Sequence, residues 1–179
     1  ELPIVQREDE VTAKRLQRMI RPFLLRRLKS DVLKELPDKS ETVIYSKLEG
    51  EQQDLYSANA QKLLESIKNT DPQALGTEKI KILAGLTRLR QLCCDPHLLY
   101  EDYKGGAAKL EACMELIRTA VSSGHKILLF SQFTSMLDLI QSRLVKEKIE
   151  SHMLTGATSK EKRADLVKAF HEDDVPIFL

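Results

Sequence analysis

The chain has 179 residues, with 28 Lys plus Arg against 27 Asp plus Glu, 42% apolar and 5% aromatic residues, the composition of an ordinary soluble domain. With 31% charged residues and no apolar run approaching ~18 residues, neither a membrane-spanning helix nor a disordered tail is the reading these numbers favour. Cys93, Cys94 and Cys113 are an odd number without Cys-x-x-Cys spacing; they support neither a disulfide framework nor a zinc site, and fit a reducing compartment as small apolar residues packed on helices.

The net charge of +1 is unevenly placed. Lys14, Arg15, Arg18, Arg21, Arg26, Arg27 and Lys29 follow one another with no acidic residue between them. Such a run meets an anionic partner or forms a solvated helix face, and charge alone does not separate the two.

In chain order, Val11, Leu16, Met19 and Ile20, then Leu24, Leu25, Leu28, Val32 and Leu36, recur at helical spacing. They predict two basic amphipathic helical pieces bent at Pro22 and stopped by Pro37. Residues 40–48, with Thr42, Val43, Ile44 and Tyr45, predict a strand. A helix follows over 51–70, then a loop with Asp71-Pro72 and Gly76, then a helix marked by Ile80, Leu83, Leu86, Leu89 and Leu92 that ends before Asp95-Pro96. Lys104-Gly105-Gly106 reads as a joint. It divides a mostly helical region, 1–104, from an alternating one, 105–179.

Beyond the joint the pattern predicts a helix over 108–122, a strand over 126–130, a helix over 134–148, a strand over 151–154, a helix over 159–171 and a strand over 175–179. Alternating units with buried Leu, Ile and Phe indicate an α/β fold, a parallel sheet flanked by helices. The last strand has no following helix or polar cap, and the N-terminus carries no secretion signal. The expectation is a piece of a longer, cytoplasmic protein.

Several site types are missing from the sequence. Gly105-Gly106-Ala107-Ala108-Lys109 lacks the spacing and the hydroxyl of a phosphate-binding loop. Asp173-Asp174 reads as a solvated turn rather than a magnesium pair, and His97, His125, His152 and His171 are scattered, with no nucleophile elbow. No complete catalytic site and no metal site is predicted.

What is distinctive is an ordered set of strings. Arg21-Pro22-Phe23-Leu24-Leu25-Arg26-Arg27-Leu28-Lys29-Ser30-Asp31-Val32 is followed by Leu36-Pro37-Asp38-Lys39, Leu89-Arg90-Gln91-Leu92-Cys93 and Lys109-Leu110. Then come Ile127-Leu128-Leu129-Phe130-Ser131-Gln132-Phe133-Thr134 and Thr155-Gly156-Ala157-Thr158, with Arg163 and Phe170. This order resembles the Swi/Snf-type family of helicase-like, superfamily-two, DNA-translocating ATPases, over nearly the whole chain from about Leu16. The resemblance implies a partial RecA-like lobe, the opening part of the second of two, preceded by a mostly helical region.

It also implies a parent that uses ATP and magnesium in a first lobe absent from this sequence, with none bound by this piece alone. The implied partners are the double-stranded DNA backbone and that first lobe, with no membrane, and the setting is the bacterial nucleoid or the eukaryotic nucleus. Ser131, Gln132 and Thr134 follow one predicted strand at its carboxyl end, where open α/β sheets place ligands, and Thr155, Gly156 and Thr158 follow the next. Gly156 permits close backbone approach; Thr158 or Ser159 caps the helix that carries Lys160, Lys162 and Arg163, a role compatible with phosphate binding. Arg163 is either a surface ion-pair partner of Glu161 or Asp165 or, by resemblance, a phosphate or lobe-stabilising contact. Arg21, Arg26, Arg27 and Lys29 lie in a segment that in the family looks like an inter-lobe structural helix. Ala108 stands where the family has glycine before Lys109, and Cys94-Asp95-Pro96 departs from its usual Asn-His-Pro and reads as a buried turn. Two other readings stand beside this one: a non-motor α/β module docking an acidic partner, and a lobe of an RNA helicase.

Overall fold

A computed structural model describes residues 10–28, 32, 35, 37, 39–68 and 75–179. By internal packing the chain forms two units, Glu1–Ile44 and Tyr45–Leu179. In the first, helix α1 (Glu10–Ile20) carries Lys14, Arg15 and Arg18 and runs into one 3-10 turn, Arg21–Phe23. Pro22 sits in the first turn of that segment, where its missing N–H costs nothing, and the chain then becomes extended at Leu24.

The second helical piece expected after Pro22 is not formed over residues 24–28. Among the described residues its apolar positions are left uncovered: Phe23 is 87% and Leu25 77% exposed. A short amphipathic segment without a packed face does not hold a helix in water. Lys29 and Leu36 lie outside the described residues. The strand expected over 40–48 is also absent, and residues 39–49 have no regular structure. Strand propensity is realised only by ladder pairing, and no described strand pairs with this segment, which leaves Tyr45 90% exposed.

The second unit begins with a helical hairpin, α2 (Gly50–Lys68) and α3 (Leu75–Cys94). The helices approach closely at Gly85, where an added Cβ would stand 2.5 Å from a Leu63 methyl. Asp95 and Pro96 follow in a buried turn, in which the Asp95 carboxylate accepts from His97 N at 2.8 Å. Next come α4 (Ala108–Ser122), β1 (Ile127–Leu128), α5 (Thr134–Lys146), β2 (Ser151–His152), α6 (Lys160–Glu172) and β3 (Ile177–Phe178).

The three strands are parallel in the order β1-β3-β2. Backbone bonds extend the ladder past the strand ends, from Leu129 N to Phe178 O and from Leu154 N to Leu179 O, each 2.9 Å. The central strand alternates. Ile177 and Leu179 enter a core with Leu110, Met114 and Ile117 of α4 and Met136, Ile140 and Leu144 of α5. Phe178 points the other way, edge-on to Phe170 of α6 at 5.2 Å, with His152 beside both rings. Helices therefore cover both faces of a small parallel sheet, the expected α/β class.

One side chain ties the hairpin to this sheet. Gln52, 1% exposed, donates from Nε2 to Leu92 O at 2.8 Å and accepts at Oε1 from Ala108 N at 3.1 Å. It thus satisfies a carbonyl near the end of α3 and an N–H at the start of α4, groups that helix ends leave without intrahelical partners. Gln52→Leu keeps the volume and strands both groups. The expected loss is about 2–4 kcal/mol in urea unfolding; a loss below ~0.5 kcal/mol would mean the elements hold together without it.

A second tie joins α6 to β2. Asp173 Oδ2 lies 2.6 Å from His152 Nε2, and its Oδ1 accepts from Val175 N. The His152 hydrogen bond holds the Asp173 carboxyl below its usual value; burial opposes it, and the Val175 N–H adds a lesser lowering effect. The stabilisation is present at and above the ordinary carboxylate range and disappears as pH falls through the lowered value. Unfolding curves collected through acid are expected to show a flatter pH dependence for Asp173→Asn than for the parent chain; superimposable slopes would remove Asp173 from the acid response.

Candidate functional site

Parallel strands end on the same side of a sheet, so the segments leaving β1 and β2 emerge from one edge. The first, 129–133, leads into α5. Ser131 Oγ accepts from Phe133 N at 3.1 Å and so closes a tight turn rather than capping the helix, whose N-cap residue Phe133 makes no side-chain cap. Gln132 and Thr134 are exposed beside it.

The second segment, 153–159, leads into α6 and is held more tightly. Thr155 N donates to Thr158 Oγ1 at 3.0 Å, and Thr158 N donates back to Thr155 O at 3.1 Å. Ser159 is the helix N-cap, accepting from Lys162 N. Of the two residues expected to cap, Thr158 closes the loop and Ser159 caps. Space for a Cβ at Gly156 is open, so the fold itself does not demand glycine there.

Arg163 turns to backbone carbonyls of its own lobe rather than to Glu161 or Asp165. Its guanidinium donates from Nε to Thr158 O at 2.9 Å and from Nη2 to Thr155 O at 3.0 Å and Gly156 O at 3.2 Å. A planar fork reaches three carbonyls of one loop where a flexible ammonium does not. Arg163 is therefore a brace on the loop, one turn into α6, a contact that stabilises the lobe. Lys160 is exposed at the start of the helix.

The remaining expected residues stand apart from these loops. Arg21, Arg26 and Arg27 are exposed in the first unit, and Lys29 lies outside the described residues. Lys109 is exposed in the first turn of α4 and lines an open cleft of about 650 Å³ with Leu86, Leu89 and Arg90 of α3 and Phe130 of the first loop. All three cysteines line the same cleft, and burial pushes the Cys93 and Cys113 thiols up, which keeps them protonated.

Ala108 N is taken by Gln52, the Gly106 carbonyl accepts from Tyr103 Oη at 2.8 Å, and no group of three metal-ligating side chains occurs among the described residues. Gln52 itself escaped the sequence reading because glutamine on a helix reads as solvent-facing. The available signal was its i, i+3, i+4, i+7 spacing with Leu55, Tyr56 and Asn59, which are all partly buried.

The same organisation recurs in proteins of known family. The SNF2-related domain profile matches residues 1–98, and the helicase conserved C-terminal domain profile matches residues 108–179. The chain belongs to the SNF2-related family of helicase-like ATPases. It is 32% identical to the nuclear protein STH1/NPS1 of Saccharomyces cerevisiae, over 99% of this chain and 14% of that protein. Among solved structures it is similar to the Sulfolobus solfataricus SWI2/SNF2 ATPase core in complex with dsDNA, with a TM-score of 0.69 and 31% identity over 97% of this chain and 38% of that one. The C-terminal domain of that ATPase gives 0.70 and 32% identity over 79% of this chain and 62% of that one. The small sheet with its helices is accordingly part of a RecA-like domain.

Arg163→Ala is expected to speed amide exchange at 155–158 while α4 and α5 keep their protection, and Arg163→Lys to restore little, since an ammonium does not span three carbonyls. Unchanged exchange in that loop would end the bracing role.

Proposed function

We propose that this chain is the N-terminal part of the second motor lobe of an ATP-dependent double-stranded DNA translocase, holding the phosphate backbone without reading sequence. The observation that carries the reading is the pair of loops at one edge of the sheet, each running from a strand end into a helix start. Hydroxyls at Thr134, Thr155 and Thr158, backbone N–H groups near Gly156, the Gln132 amide and the Lys160 ammonium are donors of the kind that phosphate oxygens accept. Ser131 shapes the first loop as Arg163 shapes the second.

The similarity to an ATPase core captured with dsDNA supports the same partner class. Hydrolysis in this reading belongs to the intact motor, with ATP and magnesium held chiefly by a first RecA-like lobe. Arg21, Arg26, Arg27 and Lys29 brace the segment between lobes. The parent works wherever its duplex lies, in a nucleoid or a nucleus. No described helix is long and apolar enough to cross a membrane.

The test is duplex binding by the chain between about 50 and about 200 mM salt, where phosphate contacts weaken steeply. Lys160→Ala is expected to lower the slope of log affinity against log salt by about 1, the signature of one lost phosphate contact. Arg163→Ala is expected to weaken binding with little change of slope, because it loosens the loop without removing a phosphate ligand. Salt-insensitive binding, or equal slopes for Lys160→Ala and the parent chain, would overturn the assignment.

A further inference from the structure

The hairpin carries an apolar face that the second unit leaves uncovered. On α3, Ile80 is 77%, Leu83 62% and Leu86 46% exposed. Helical spacing places them in line with Arg90 and Cys93 on one side of the helix. Leu92, buried beside Gln52, and Gly85, packed close to Leu63, occupy the other side. The stripe is continuous with the open cleft, because Leu86, Leu89 and Cys93 are also cleft-lining residues. From Ile80 to Cys93 it extends about 20 Å at the rise of a helix, the footprint of roughly four helical turns of a partner.

The charges of this surface have one sign. The charged residues lining the cleft, Arg90 and Lys109, are both cations. A second copy docked through the same face would bring these cations together, since a two-fold contact sets a patch against itself. A DNA duplex would set hydrated phosphates against leucines, cysteines and an 89% exposed Phe130.

We propose that the α3 stripe and the adjoining cleft form a docking groove for an amphipathic helix of a protein partner, one with an apolar face and acidic flanks. The apolar face lies along Ile80, Leu83 and Leu86 and enters the cleft beside Phe130, and the acidic flanks meet Arg90 and Lys109. This is helix-in-groove recognition, with apolar anchors supplying affinity and rim charges supplying register and choice of partner. It shares the loop after β1 with the duplex-binding reading, since Ser131 and Gln132 also line the cleft, whereas Lys160 and the loop after β2 belong to the duplex reading alone.

The test uses a fluorescent 18-residue peptide with leucines along one helical face and glutamates elsewhere, and an analogue with lysines in place of the glutamates. Anisotropy is expected to show binding of the glutamate peptide about tenfold or more tighter than the lysine analogue at low salt. Leu83→Ser, at an exposed position, is expected to weaken it severalfold with an unchanged circular dichroism spectrum. The pair Arg90→Glu and Lys109→Glu is expected to remove or invert the preference for the acidic peptide.

Binding of neither peptide, or equal binding of both, overturns the proposal. Concentration-dependent self-association in sedimentation velocity that Leu83→Ser abolishes would make the groove a contact between copies. Displacement of the peptide by a duplex, with duplex binding lost in Arg90→Glu/Lys109→Glu and retained in Lys160→Ala, would assign the groove to nucleic acid. Retained duplex binding with no peptide binding would sink the groove alone; lost salt dependence with intact peptide binding would sink the duplex reading alone.

Discussion

The arrangement of the second unit depends on a buried amide. Gln52 reaches out of α2 and occupies, at its two ends, a carbonyl at the close of α3 and an N–H at the opening of α4. Such groups are costly to bury without partners, and one side chain with a donor and an acceptor satisfies both. The hydrogen bonds are directional, so they set where the hairpin ends relative to where the α/β layer starts. The apolar contacts around Leu92 contribute area but no comparable register. The cleft between α3 and the loop after β1 exists because that register holds.

On the other side of the sheet the same division between positioning and contact reappears. Arg163 has the charge expected of a phosphate ligand, yet its donors go to Thr155, Gly156 and Thr158 carbonyls. A loop drawn together by its carbonyls, with Thr158 Oγ1 accepting from Thr155 N, has little freedom left to lose when a ligand arrives. Lys160 and the hydroxyls can then act from a preorganised frame.

The two faces of the second unit also differ in character. The loop edge is polar, with Thr134 and Lys160 exposed. The hairpin groove is apolar with a basic rim, and its exposed leucines sit at positions whose spacing alone reads as core. A helical period announces that one face is to be buried; it does not say by what.

That distinction separates what the amino-acid sequence by itself determined from what the tertiary structure decided. The helices over Gly50–Lys68, Leu75–Cys94, Ala108–Ser122, Thr134–Lys146 and Lys160–Glu172, and the parallel α/β class, were legible because periodicity and local caps are properties of neighbouring residues. So was the family, through strings such as the one from Ile127 to Thr134. The strand expected over 40–48 and the part of the expected helix over 24–28 did not form, because each needs a distant surface or ladder that the segment cannot supply from its own residues. The use made of Gln52 and Arg163 was likewise hidden. Hydrogen bonds from Gln52 to Leu92 and Ala108 span 40 and 56 residues, and whether an arginine meets a carbonyl or a phosphate depends on which acceptor the fold brings within reach of its fork.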